Sequence, residues 1–386
     1  MKSPTVTFCT YTYNDSEFAA NLVRQSQLFT IRPDEIVVVD DGSDEPFVMD
    51  DAPDSLRVIR LEGNRGITFA KGAGLSAATS DLIFSMDCDT SVNPDWLERN
   101  MAHVLTPEVG LVGGALVHQS GDDLVSRYML AFGDNHNQHH IGPVGFIPGN
   151  AFMLRRKTWE EVGGFSGYNQ TNCQDHYLCN RLKDKGYTLF SNCEAKAWQQ
   201  RRVIRTTMCK RVWKWCHRPI KKQAAEADDM IMYLFGTLVA PMLDRCRTAD
   251  EMEEPLFYYL ELLYLAYTVL DMLDYCVKAG QLDMIERDGF LTGLNSLFGG
   301  FKAVHVLFKK DMAALGFDVV DYNHSSSTSW NDFFLFAEVL RQGGLMSWLN
   351  RQGAVMLMED DSRSDYHFSS YANADFNADL KADIAV

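Results

Sequence analysis

No run of apolar residues in this 386-residue chain approaches the roughly 20 that a membrane-spanning helix needs. The nearest, Met230–Leu243, has 14 residues and is interrupted by Gly236 and Pro241. A buried helix is expected there, with a membrane-surface segment as the alternative. Behind Met1-Lys2-Ser3-Pro4 there is no apolar stretch ending in a small-residue cleavage site, so no secretory leader is expected. The nine cysteines are odd in number, scattered, and without a CxxC pair. That fits a reducing compartment, with thiols used as small hydrophobes, and a cytoplasmic protein is expected. The Asn-x-Ser/Thr triplets at Asn14, Asn169 and Asn323 then carry no meaning as glycosylation acceptors.

Positive charge is also scarce, with 36 Lys+Arg against 52 Asp+Glu and a formal net charge of −16. A phosphate lattice would repel such a protein, which argues against nucleic acid as a partner. Hydrophobic residues make up 46% and charged residues 23%, excluding disorder, collagen and low-complexity fibres. The length suits two domains, each able to bury a core.

The first half alternates strand and helix signals. Thr5–Thr10, Glu35–Asp40 (EIVVVD), Leu56–Leu61 and Asp81–Met86 read as strands, and the nearly continuous apolar runs are those of a parallel sheet buried on both faces. Asp15–Phe29, with Asp15 or Asn14 as N-cap, and the small-residue segment Thr68–Thr79 read as helices. The fold class is therefore α/β, a doubly wound, mostly parallel sheet. Ligands in such sheets bind beyond the carboxyl ends of the strands. The second half, from about Asp228 to Leu315, is helical text, with Leu256, Tyr259, Leu260, Leu263, Tyr267, Leu270 and Leu273 at three- and four-residue steps. Tyr258, Tyr259, Tyr264 and Tyr267 suit either a core or a binding surface. Trp330–Leu349 is expected to be a helix, and an acidic tail follows from about 359. The domain boundary is placed at 222/223, within the stretch Pro219–Asp229.

Polar clusters that follow strands carry the candidate chemistry. Asp40-Asp41-Gly42-Ser43-Asp44 ends EIVVVD, where a carboxylate can accept from a base N–H or a ribose hydroxyl. An ordinary Asp-Gly turn is the plain alternative. Asp87-Cys88-Asp89 follows another buried strand, and two carboxylates at i and i+2 can reach one hard cation while leaving positions open to a diphosphate. Asp175, in Cys173-Gln174-Asp175-His176, sits near the N-terminus of the helix expected over Tyr177–Lys185, where the dipole keeps it ionised as a candidate general base. A simple N-cap is the alternative. His136, His139 and His140 read as part of a loop rather than a metal site.

Taken in order, these pieces resemble the family 2 glycosyltransferases of the GT-A fold over about residues 4–205. The matching stretches are Thr12-Tyr13-Asn14, Val39-Asp40-Asp41-Gly42-Ser43, Asn64-Arg65-Gly66 with Ala70-Lys71, Asp87-Cys88-Asp89, Gly149-Asn150-Ala151-Phe152, Val162-Gly163-Gly164-Phe165, and Gln174-Asp175 with Arg181-Leu182 and Gly186. The resemblance implies a catalytic domain over 1–222 and an inverting transfer from a nucleotide sugar, UDP-linked by preference, with Mn²⁺ or Mg²⁺. It implies a nucleotide-sugar site of Thr12, Tyr13, Asp40, Lys71, Asp87 and Cys88. Within it Tyr13 packs on the base, Asp40 bonds the base N3–H and Lys71 lies near the phosphates. Asp89, with Asp87, would hold the metal, Asn150 and Gln174 would lie on the acceptor side, and Asp175 would be the base. Gln174 stands where the family's motif has Glu, Lys71-Gly72 where it has Arg-Asn. Ala197-Trp198-Gln199-Gln200 lacks the His that many members use as a further metal ligand, a place Gln199 or a water could take.

Lys196–Lys222 holds ten Lys/Arg and no acid, leaving −26 for the rest of the chain. It could meet the acidic remainder of the protein, close over the diphosphate, or touch the anionic inner face of a membrane. The acceptor is a glycan, a lipid-linked saccharide or a protein, and residues 223–386 are a helical domain that could bind it or form a homodimer. A nucleotidyltransferase is a competing class, but the place after the first strand, Thr10–Asn14, lacks the Gly-rich loop such enzymes use. A non-catalytic nucleotide-sugar-binding scaffold is the other.

Overall fold

The structure is a computed structural model that describes residues 3–118, 123–133, 137, 139–170, 173–201, 203–210, 240–254, 256–278 and 302–317. The expected helix at Trp330–Leu349, the tail from 359, most of Met230–Leu243, His136, the basic stretch beyond 210 and the 222/223 boundary lie outside the described residues. The chain divides into two compact units, Met1–Asp122 with Ser126–Arg202, and Asp123–Val125 with Val203–Val386.

The first unit is built on a nine-stranded sheet of order β3-β2-β1-β4-β8-β6-β9-β5, with β7 paired to β9. Its first four strands, β1 (Val6–Thr12), β2 (Glu35–Asp40), β3 (Leu56–Arg60) and β4 (Leu82–Met86), pair in parallel. Side chains alternate across this half of the sheet because the strand period is two. Ile36 and Val38 face one side with Val6, Phe8, Leu82 and Phe84; Val37 and Val39 face the other with Cys9 and Ile83. Each such side chain, fully buried, contributes about 1.5–3 kcal/mol. On the first face lie α1 (Ser16–Ser26) and α3 (Trp96–Val104), where Trp96 stacks on Phe84 with ring centres 4.6 Å apart. On the second lie α2 (Ile67–Ala77), α5 (Arg156–Glu161) and α6 (Gln174–Asp184). Two buried faces require apolar residues at every strand position, which is why EIVVVD is continuous rather than alternating.

The remaining strands are β5 (Thr90–Val92), β6 (Val109–His118), β7 (Ile141–Val144), β8 (Ala151–Arg155) and β9 (Thr188–Gln199), and α4 is Leu124–Phe132. Two registers position the site. Thr12 lies opposite Asp40, so β1 and β2 end together. Antiparallel β8 sets Ala151 opposite Met86, which brings Asn150 beside Asp87. At the far side β9 pairs with β5, Gln199 opposite Thr90, and so returns the chain to the loop after β4. A bulge between Gly114 and Ala115 accompanies a close approach, since a Cβ on Gly114 would fall 1.7 Å from the Ala195 carbonyl oxygen.

In the second unit the helix Phe257–Lys278 packs against the helices Ala240–Glu251 and Lys302–Leu315. Leu256, Tyr259, Leu260, Leu263, Tyr264, Tyr267 and Leu270 are buried, while Tyr258 is half-buried. Two buried acids link these elements. Asp311 accepts from Arg205 Nε and from Tyr259 Oη, each at 2.8 Å, and Glu261 accepts from Arg245 at 2.5 and 2.8 Å. No helix among the described residues is long and apolar enough to cross a membrane.

Candidate active site

The ends of β1, β2 and β4, the start of α2, the turn before β8 and the start of α6 meet at one edge of the first unit. Asp87 follows β4 directly. Its Oδ1 accepts from Tyr11 Oη at 3.0 Å and from Lys71 Nζ at 2.7 Å. Its backbone N–H donates to the Asn150 carbonyl at 2.9 Å. Burial pushes the Asp87 carboxyl above the usual aspartate value and the charge of Asp89 adds to this, while the Lys71 ammonium opposes both. The same surroundings raise the Tyr11 phenol well above its ordinary value, burial first and the Asp87 charge next.

Asp89 lies on the same side of the loop. Its Oδ2 accepts from Gln199 Nε2 at 3.2 Å and from Arg201 Nε at 3.0 Å, and its carbonyl accepts from Gln200 N–H at 2.7 Å. Arg201 also donates to Asp15 at 2.6 Å, with its guanidinium over the Phe18 ring. Burial alone would lower the Arg201 pKa, but these two carboxylates raise it further above its ordinary value. The described residues set no donor on Asp87 Oδ2 or Asp89 Oδ1, so each acid has an oxygen left over. Hard oxygen donors of this kind suit Mg²⁺ or Mn²⁺, which are commonly held by one or two carboxylates plus substrate phosphates. Among the described residues no group of three or more His, Cys, Asp and Glu is arranged around a metal position.

Asp175 sits in the first turn of α6. Its Oδ2 accepts from the Gly149 N–H at 3.1 Å and its Oδ1 from the His176 N–H at 2.9 Å. It is half-buried, so part of the carboxylate faces outward. Cys173 before it has positive φ and caps nothing with its side chain. Asn150 is buried, and its Nδ2 has no hydrogen-bond partner among the described residues, at the site's edge. Gln174, also buried, lies beside Asp175 on the same turn. Thr12 is buried with a hydroxyl that has no partner among the described residues, and Tyr13, the next residue, is 42% exposed as a stacking surface requires.

Three residues are placed otherwise than the resemblance implied. Asp40 is fully buried and its oxygens are already engaged: Oδ1 accepts from Ser43 N–H at 2.9 Å, Oδ2 from Phe47 N–H at 3.0 Å and from Arg60 at 2.5 Å. Burial alone would raise its pKa; the hydrogen bonds from Ser43, Phe47 and Arg60 outweigh that and hold it below the usual carboxylate range. Asp41 similarly accepts from the Arg65 and Gly66 N–H groups at the start of α2, each at 2.8 Å. The Cys88 thiol is turned into the core with Val92 and Trp96, and only its backbone borders the site. Lys71 has 1% of its side chain exposed and bonds inward to Asp87 and to the Gly149 carbonyl at 2.6 Å. Tyr11, Asp15, Gly149 and Arg201 belong to the cluster without having been given a site role from the sequence: Asp15 was read as an N-cap, Gly149 only as part of a matching stretch, and Arg201 as one of ten cations in the basic stretch.

The arrangement sets two acids after a strand end, Asp87 and Asp89, and a third, Asp175, at a helix start on the turn that also meets Asp87. Residues 7–176 match the model of the family described as Glycosyl transferase family 2. Among curated proteins, the chain is 30% identical over 164 residues to a pre-mycofactocin glycosyltransferase of Mycobacterium tuberculosis, covering 40% of this chain and 35% of that one. The chain thus spans about a third of the length of that relative. It is 25% identical over 274 residues to a glucosyl-dolichyl phosphate glucuronosyltransferase of Haloferax volcanii, covering 64% of this chain and 86% of that one. Among solved structures, it is similar to a mannosyltransferase of Pyrobaculum calidifontis in complex with GDP-Man and Mn²⁺, with 15% identity, 91% and 88% of the two chains covered and a TM-score of 0.41.

Proposed function

We propose that the protein is an inverting glycosyltransferase that moves a sugar from a nucleotide sugar, UDP-linked by preference, to an acceptor hydroxyl. The observation that carries this reading is that Asp87 and Asp175 both meet the turn Pro148-Gly149-Asn150, through Asn150 O on one side and Gly149 N–H on the other, with Asp89 two residues after Asp87. Asp175 takes the proton of the acceptor hydroxyl as general base. The acceptor oxygen then bonds to the anomeric carbon from the face opposite the nucleotide, the carbon–phosphate oxygen bond breaks, and the nucleoside diphosphate leaves with that electron pair. A single displacement of this kind inverts the anomeric centre.

Asp89 and Asp87, through their free oxygens, would hold a divalent cation, Mn²⁺ or Mg²⁺. When bound, it would neutralise charge growing on the departing diphosphate. Tyr13 offers its ring to the nucleobase, and the Asn150 amide reaches toward the acceptor. Asp40 enters this reading by setting the Ser43–Phe47 turn that hydrogen-bonds to Asn14, rather than by meeting the base itself. The Haloferax relative's name points to a lipid-linked saccharide as the acceptor class to try first. The helical unit, which the sequence places at 223–386, would then contribute to acceptor binding.

The test is turnover of a panel of UDP- and GDP-sugars with Mn²⁺ or Mg²⁺, followed by release of the nucleoside diphosphate. Asp175→Asn is expected to lower turnover by at least about 10³-fold while UDP affinity stays within about threefold. Full turnover in that variant removes the base assignment, and a wild-type protein that neither binds nor turns over any sugar nucleotide removes the reading as a whole.

A further inference from the structure

Lys71 is the buried centre of a chain of contacts that runs from one side of this site to the other. Its ammonium has three N–H donors. One goes to Asp87 Oδ1 at 2.7 Å and one to the Gly149 carbonyl at 2.6 Å. The Tyr11 and Phe152 rings flank it, at 5.4 and 5.7 Å from the nitrogen. With 1% of the side chain exposed, nothing of Lys71 faces the cleft where a phosphate would sit. Gly149 continues the chain, because its N–H holds Asp175 Oδ2 at 3.1 Å. A side chain at this position would crowd Asp175. A Cβ at position 149 would lie 3.2 Å from the Asp175 Cβ, 3.4 Å from its Oδ2 and 3.4 Å from Lys71 Nζ.

We propose that Lys71 is a positioning residue that fixes the donor-side acid Asp87 and the base Asp175 as one unit through Gly149, and that it is not a ligand of the donor's phosphates. The physical reason is that both of its hydrogen bonds end on groups that place others. Pinning the Gly149 carbonyl orients the residue whose N–H aims Asp175, and the Asn150 carbonyl that follows accepts from Asp87 N–H at 2.9 Å. Without the ammonium, Asp87 Oδ1 keeps only Tyr11 Oη and the Gly149 carbonyl loses its Lys71 bond, so the turn is expected to shift to reach other donors. A displacement of about 1 Å at the reacting groups costs on the order of 10²-fold in rate. The role of Asp175 in this proposal rests on the transferase reading above; the linkage of 71, 149 and 175 does not.

The experiment compares K71M, K71R and G149A by crystal structures without ligand, calorimetry of UDP in the presence of Mn²⁺, and kcat and KM for release of UDP from the sugar nucleotide that the wild type turns over fastest. K71M is expected to lengthen the Gly149 N to Asp175 Oδ2 distance past hydrogen-bond range and to lower kcat about 10²-fold, with the UDP Kd within about threefold of wild type. K71R, which keeps a cation for both partners, should restore the contact and most of kcat. G149A keeps Lys71 yet displaces Asp175, so it should share the kcat loss; it carries the test if K71M does not fold. The proposal is overturned if K71M retains the 3.1 Å contact, if G149A keeps wild-type kcat, or if K71M loses tenfold or more in UDP affinity with kcat preserved, the signature of a phosphate ligand. Turnover that survives Asp175→Asn would instead overturn the base assignment, and the K71M structure would still decide the linkage.

Discussion

Asp40→Asn separates two jobs that a carboxylate at the end of β2 could have. If it meets a nucleobase, the variant loses affinity and little stability. The structure points to the opposite result. Asn can keep one acceptor but must turn an NH₂ toward either Ser43 N–H or the pair Phe47 N–H and Arg60. Ser43 and Phe47 are both buried, so at least one N–H is left facing a donor in the interior. A hydrogen bond to a charged group contributes about 1.5–3 kcal/mol, and an orphaned buried donor costs about 1–3 kcal/mol. Arg60 is 40% exposed and can return to water, so its loss adds under about 1 kcal/mol. The expected destabilisation of the first unit is about 2–4 kcal/mol near neutral pH, read from urea unfolding with β-sheet circular dichroism. The pH dependence supplies a second check. The folded pKa of Asp40 is depressed, so its stabilising contribution is present above the ordinary aspartate value and is lost as pH falls through the folded value. The difference between wild type and D40N should therefore narrow as pH falls below about 4. A D40N protein within about 0.5 kcal/mol of wild type at neutral pH, but with UDP affinity reduced tenfold, would refute the reasoning and return Asp40 to the base.

Two further variants test packing away from the chemistry. Gly114→Ala sets a methyl 1.7 Å from the Ala195 carbonyl oxygen, a backbone atom at the bulge where β9 skips residues in its pairing with β6. A loss of more than about 3 kcal/mol, or no soluble protein, is expected by unfolding assays; a variant as stable as wild type would mean that the bulge adjusts. Asp311→Asn in the helical unit removes the buried carboxylate that accepts from Arg205 and Tyr259, which should cost about 1.5–3 kcal/mol by thermal or urea unfolding. A change under about 1 kcal/mol would show that Arg205 finds another acceptor.

How far the sequence could be read depends on what each element buries. β2 begins and ends where the apolar run EIVVVD does, because a central parallel strand is covered on both faces and its acids mark its ends. β4 and α2 are legible for the same reason. β9 is not: it lies toward the sheet's far side, pairs with three strands, and reads only as a mixed polar run. Its end supplies Gln199, and the next residues supply Arg201, to an acid more than 100 residues earlier. Contacts of that separation leave no local pattern. Other details were available to a stricter reading. In Asp87-Cys88-Asp89 the residue between the two acids is apolar, and the structure buries it. The inward turn of Lys71 is different. Its position on α2 is local, but the partners that take its charge, Asp87 and Gly149, come from the ends of other strands.

Pairing of charges explains how an acidic protein can present an edge to a diphosphate. The acids at this edge are not a free negative field. Asp40 is paired with Arg60, Asp87 with Lys71, and Asp89 and Asp15 share Arg201. Asp41 is held by the first backbone N–H groups at the start of α2, where the helix end carries partial positive charge. Each pairing removes one repulsion that an incoming anion would meet, and the acids that still have a vacant oxygen, Asp87 and Asp89, are those able to take a divalent cation with it. Net charge therefore predicts how the whole surface treats a polyanion such as nucleic acid, which must contact many positions at once. It does not predict how the molecule treats a ligand that spans one edge. There the balance is set by Lys71, Arg201 and a helix start, in a protein whose overall charge is −16.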